Sequence, residues 1–139
     1  MENVIGEINI LAIVAASVVS FVFAGVWFGV VIAKPYVIAL DHVGKPPPKP
    51  AALFILGPFL CTLVTTITSA ILMRMLRIDT LAGGLGFGAL VGVGYILATC
   101  QNIAINPKFP RPFFYTLLNA PFFVLNSMAG CAILAVMAK

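Results

Sequence analysis

The stretch LAGGLGFGALVGVGY, Leu81 to Tyr95, decides the fold, because it reads either as a phosphate-cradling loop or as a membrane helix. The nucleotide fingerprint fails: no strand-like run precedes the glycines, and no Gly-Lys-Ser or Gly-Lys-Thr follows them. The stretch lies instead in a window, Thr80 to Pro107, free of Asp, Glu, Lys and Arg. A helix crosses about 30 Å of hydrocarbon with about 20 apolar residues, and this window is longer than that. Within it Gly84, Gly88 and Gly92 recur every four residues, the spacing that lets two helix backbones touch in lipid.

Three more windows share the property: Ile8 to Ala33, Pro50 to Met73 and Pro112 to Ala138. The 139 residues are 62% hydrophobic and 9% charged, against about 25% charged in soluble domains. The mean hydropathy is +1.14. The expected fold is all-α, an integral membrane four-helix bundle with antiparallel neighbours. Its helices fall at about 8–33, 51–74, 80–104 and 112–138 of a single transmembrane domain, 1–139, with a Pro-rich loop at 41–50. The opening MENVIGE has Glu2 and Glu7 and no basic residue, and the apolar run after it exceeds a signal core of roughly 7 to 15 residues. The first window is therefore expected to stay as a helix.

The net charge of +4 is spent at helix ends rather than on a nucleic-acid face. Lys34, Lys45, Lys49, Lys108 and Arg111 fall in the first and third loops with Asp41; Arg74, Arg77 and Lys139 fall on the other side with Glu2, Glu7 and Asp79. The positive-inside rule then places both termini on the non-cytoplasmic side of a bacterial inner membrane or an organelle membrane.

Each helix carries a face with a purpose. On the first, Ala12, Ala16, Ser20 and Ala24 step by four, and Gly25, Gly29 and Ala33 form a second small-residue row. Pro35 is expected to end or bend it. Helix two holds Thr62, Thr65, Thr66 and Ser69 largely on one side, where hydroxyls can bond back to their own helix. On helix three the glycine face continues, at helical spacing, through Tyr95, Thr99, Asn102 and Asn106. On helix four Tyr115, Asn119, Phe122, Asn126 and Gly130 share a face. Folding about the turn Asn106–Pro112 sets Gly88 and Gly92 level with Ser127, Gly130 and Cys131, and sets Thr99 and Asn102 level with Leu117 to Ala120. The amides of the two helices are then expected to satisfy each other.

Trp27, Lys34 and Tyr36 at one helix end, and Lys108, Phe109, Arg111, Phe113, Phe114 and Tyr115 at another, are the aromatic and basic residues of an interfacial belt or a lipid contact. The run Pro46–Pro50 reads as a polyproline spacer with a PxxP match at Pro47 and Pro50. His42, the single histidine, lies beside Asp41 in a solvated loop. Cys61, Cys100 and Cys131 fall inside spans with no CxxC and no metal-ligand spacing, so they read as small packed hydrophobes.

The Ala-rich first helix ending in GVWFGVVIAKPY (Gly25–Tyr36), the run GGLGFGALVGVGY (Gly83–Tyr95), the turn with Asn106, Phe109 and Arg111, and LLNAPFF (Leu117–Phe123) resemble the bacterial and fungal four-helix membrane proteins grouped as domain of unknown function family 1761. The resemblance covers nearly the whole chain. It implies the four-helix fold and no established activity. Family members often carry Tyr-His just after the helix-four Asn; here Phe122 and Phe123 stand there, so chemistry on that histidine has no counterpart.

Three functions follow, in decreasing order of support. The small-residue rows favour an interaction module, either an accessory subunit of a larger membrane complex or a homo-oligomer. A small uncoupled transporter or channel is the alternative, with Thr62, Thr66, Tyr95, Thr99, Asn102, Asn119 and Asn126 lining its path; the lack of intramembrane charge argues against ion or proton coupling. A lipid-binding groove at the aromatic and basic cluster is a further reading. No catalytic set is recognisable and no cofactor is expected: Cys100 has no histidine within reach, and paired carboxylates are missing. The expected partners are the lipid bilayer and a second copy or a larger membrane protein, with no nucleic acid.

Overall fold

The computed structural model describes residues 6–46 and 51–138, and every element in it is helical. The PxxP match, Glu2, Lys49 and Lys139 lie outside the described residues. Four helices are long and apolar enough to cross a membrane: Ile10–Val31, Leu53–Met75, Leu81–Ala104 and Pro112–Val136, here called the first to fourth spans. The protein is a multi-pass membrane protein.

Local chemistry sets the ends of each span. Asn9 caps the first: its side chain accepts from the Ala12 amide at 3.2 Å, and its Nδ2 donates to the Met137 carbonyl at 2.7 Å, joining the start of the first span to the end of the fourth. The second span ends in a Schellman turn. Arg77 takes the left-handed φ of 56° usually left to glycine, so that Ile78 N–H reaches the Met73 carbonyl at 2.9 Å and Arg77 N–H reaches that of Arg74 at 3.2 Å. Thr80 caps the third span through the Gly83 amide at 3.1 Å, and Pro112 opens the fourth at a position that needs no N–H.

Two spans are not uniform helices. The first changes to a π turn over Trp27–Val31, breaks at Ile32 (φ −111°, ψ 9°) and restarts as the short helix Ala33–Ala39. Pro35 sits in the first turn of that restart, where a missing N–H costs nothing, so the bend lies three residues before it. The third span is α-helical over Leu81–Val91, π-helical over Gly92–Leu97 and α-helical again over Ala98–Ala104.

The fourth span is the hub. It packs along the third, the first and the second, whereas the third packs almost wholly on the fourth. A Cβ on Gly88 would stand 2.6 Å from both Met128 Cα and Ser127 O; one on Gly84 would stand 2.7 Å from Cys131 O; one on Gly92 would stand 3.1 Å from Val124 Cα. The two backbones thus meet at a distance only glycine permits, and dispersion over that contact replaces the hydrophobic drive that lipid does not supply. The core lies nearer the end carrying the termini: Ala12, Ile13 and Ala16 of the first span meet Ala70 and Met73 of the second and Cys131, Leu134 and Ala135 of the fourth.

Candidate functional site

The polar side chains expected to form one intramembrane stripe go to three places. The first is a pocket near mid-membrane where all four spans contribute: Ser20, Thr62, Thr65, Thr66, Ser69, Ile96, Asn126, Ser127 and Gly130 line about 30 Å³. Thr65 and Thr66 both donate to the Thr62 carbonyl at 2.8 Å, the back-bonding that removes a hydroxyl's need for an aqueous partner. Asn126 is different: its Oδ1 is buried and has no hydrogen-bond partner among the described residues. Gly130 has open space around it and borders this pocket rather than a helix contact.

The second place is the interior of the fourth span's opening half. Asn119 is 1% exposed, and its Nδ2 donates to the Tyr115 carbonyl of its own helix at 2.7 Å, so it makes no amide pair across the hairpin. Next to it, Trp27 Nε1 donates to the Leu118 carbonyl at 3.2 Å, in the turn that Pro121 interrupts.

The third place is the outside. Tyr95, Thr99, Asn102 and Asn106 are exposed, Tyr95 at 72%, and do not continue the buried Gly84, Gly88 and Gly92 face. The cause is the π turn at Gly92–Leu97, which fits an extra residue into the helix and shifts everything after it by about 100°, one residue's rotation. The inward positions become Ile96, Cys100, Gln101 and Ala104, and Ala104 is fully buried. Asn106 instead closes the following turn, its Oδ1 accepting from the Lys108 amide at 3.0 Å.

The small residues divide likewise. Ala12, Ala16 and Ser20 are buried and Ala24 half-buried, so this row is used inside the monomer. Gly25 and Gly29 are exposed, and a Cβ on either would meet nothing within 4 Å.

The aromatic residues converge at the end opposite the termini. Tyr36 and Tyr115 rings lie 5.6 Å apart with a 3.4 Å hydroxyl contact, Phe109 packs edge-on to Tyr115 at 5.0 Å, and Phe28 bridges Tyr36 and Phe122. Burial, and secondarily the bond to Tyr115, push the Tyr36 phenol above its ordinary value, so it stays neutral. Lys34, Lys108, Arg111 and Phe113 point outward around this cluster, with Phe114 half-buried. The rings of the cluster pack on one another, and the basic side chains stand around them.

At the other end a cavity of about 510 Å³ opens between Glu7, Asn9, Arg74, Arg77 and Asp79. Arg74 holds Glu7 with Nη2 at 2.7 Å and Nε at 2.9 Å, an exposed pair worth at most about 1 kcal/mol. The sequence singles out these charges as helix-end markers only; the cavity between them depends on the gap between the first and second spans, which composition does not record.

A family model described as "Protein of unknown function (DUF1761)" matches residues 11–135. No curated protein and no solved structure matches the chain. Because the match runs from the first span through the fourth, the chain belongs to the DUF1761 family.

Proposed function

We propose that this protein is a non-enzymatic interaction module of the membrane that works as a homodimer through the outer face of its third span. The observation that carries the reading is the row Tyr95, Thr99 and Asn102, turned away from the bundle after the π turn. Tyr95 lies about nine residues from the end of its span, roughly 14 Å deep at about 1.5 Å per residue, where lipid offers its phenol no partner. Gly94 beside it has nothing within 4 Å of a Cβ, so another helix can approach closely.

A second copy fits this face. Two copies inserted in the same orientation relate by a two-fold axis along the membrane normal, which sets Asn102 against Asn102. An amide offers both donors and an acceptor, so it is its own complement. Interhelical polar contacts of this kind are worth about 0.6 to 2 kcal/mol each.

Light scattering in mild detergent and single-particle photobleaching in bilayers test the reading. The wild type is expected to be dimeric, and Thr99→Leu with Asn102→Leu is expected to weaken the dimer at least tenfold while leaving the helical content unchanged. A strictly monomeric wild type in both media ends the proposal, as does a double variant that dimerises as well as the parent.

A further inference from the structure

The cavity of about 510 Å³ at the end carrying the termini has two kinds of wall. Its floor is Ala12, Ala70, Met73 and Leu134, each buried in the core shared by the first, second and fourth spans. Its sides include Ile8 and Ile78, apolar residues just outside the ends of the first and second spans and only half-buried. Arg74, Arg77 and Asp79 stand at the mouth. An apolar recess with a few polar groups at one edge, within the ~300 to 1,000 Å³ of small-molecule sites, has the form of a binding site. Ala70 precedes the helix end at Met75 by five residues, so the floor lies roughly 7 to 8 Å below that end at about 1.5 Å per residue.

The charges at the mouth are not all engaged. Arg74 donates through Nε and Nη2 to Glu7, at 2.9 and 2.7 Å. Arg77 and Asp79 lie two residues apart yet make no ion pair with each other, and neither side chain has a hydrogen-bond or ion-pair partner among the described residues. Arg77 also occupies the left-handed position of the Schellman turn, with φ at 56°, where glycine sits without strain. The turn alone does not call for arginine there, so its guanidinium is carried to the cavity mouth at a position whose backbone favours another residue.

We propose that this cavity binds a phospholipid with a zwitterionic head: Arg77 takes the phosphate, Asp79 takes a primary ammonium, and the first part of one acyl chain fills the recess between Ile8, Ile78 and Ala70. The charges select the head. A guanidinium fork matches two phosphate oxygens, and a carboxylate beside it pairs with an ammonium but repels a head that is only anionic. The recess selects the chain. It is apolar and lies at the level where the head groups of a bilayer meet their hydrocarbon, so the occupant is the lipid already present on that side. A soluble zwitterion satisfies the two charges and leaves the apolar walls uncovered.

Native mass spectrometry of the full chain in mild detergent tests the site, with palmitoyl-oleoyl phosphatidylethanolamine or phosphatidylglycerol as the added lipid. One phosphatidylethanolamine per chain is expected, retained about fivefold better than phosphatidylglycerol. Equal retention of the two overturns the zwitterion assignment. Arg77→Gly removes the guanidinium at a position that suits glycine. It is expected to lower phosphatidylethanolamine binding about fivefold without lowering the unfolding midpoint in detergent, and undiminished binding overturns the site. Asp79→Asn is expected to abolish the preference between the two lipids; an unchanged preference overturns the ammonium contact. Millimolar O-phosphoethanolamine, the head without its chains, is expected to leave the lipid in place, and displacement by it overturns the role of the recess. Lys108→Gln, at the opposite end, is expected to bind as the parent does. A loss there equal to that of Arg77→Gly marks general adhesion and overturns the site.

Discussion

The two halves of the third span are made of similar residues and do opposite things. Over Leu81–Val91 its glycines press into the fourth span, with Gly84 and Gly88 at distances that leave no room for a methyl group. Beyond Gly92 it still follows the fourth span, but its small residue Gly94 and its polar Tyr95, Thr99 and Asn102 look outward. The difference comes from one π turn, not from composition. A single extra residue in a helix can convert a packing face into a free one without changing what either half is made of.

The sharpest way to break the comparison is to load the same side chain onto each half. Gly88→Val forces the backbones of two spans apart, because its Cβ alone would sit 2.6 Å from Met128 Cα. We expect a loss of about 3 kcal/mol or more, read as a lower midpoint in denaturing-detergent titration. Equal loss from Gly94→Val would show that the second half is packed after all.

Removing Val93 tests the turn itself. A chain lacking it loses the extra residue and the π turn together, and the plain α-helix that results carries the same residues inward, so Cys100 stays against the fourth span and Thr99 and Asn102 stay outside. The expected readout is alkylation of Cys100 by a membrane-permeant maleimide at the parent rate, in protein carrying Cys61→Ala and Cys131→Ala. A several-fold faster reaction would mean that the turn does not arise from the extra residue. The smallest effect on stability belongs to Gly94→Ala, which is expected to stabilise the monomer by up to about 1 kcal/mol from helix propensity, its Cβ meeting nothing within 4 Å.

Much of this architecture is legible in the residues. Four charge-free windows specify four spans because a charged side chain in hydrocarbon costs several kcal/mol, and the structure begins or ends each span within a few residues of those windows. The row Gly84, Gly88 and Gly92 and the row Ala12, Ala16 and Ser20 are readable because α-helical spacing holds where they lie. Helical spacing fails at GVGYIL, a segment as apolar as its neighbours, so nothing in it marks the π turn. The outward path of Tyr95, Thr99 and Asn102 is hidden for that reason. Thr62, Thr66 and Asn126 come together as a pocket only because the second span leans on the first and fourth, a packing choice that hydroxyl spacing within one helix does not encode. Burial also loses its usual sequence signal here, since a leucine facing lipid and a leucine facing the core obey the same chemistry.

The fourth span's place as hub has a consequence for biosynthesis. Synthesis runs from the N-terminus, so the third span enters the bilayer before the helix that its glycines fit, and the first span's row Ala12, Ala16 and Ser20 also precedes its main partner. Until Pro112–Val136 is inserted, only the first and second spans have a substantial mutual surface, and the second Asn9 contact, to the Met137 carbonyl, has no acceptor. The first three spans therefore reach the bilayer before the helix that joins them into a bundle.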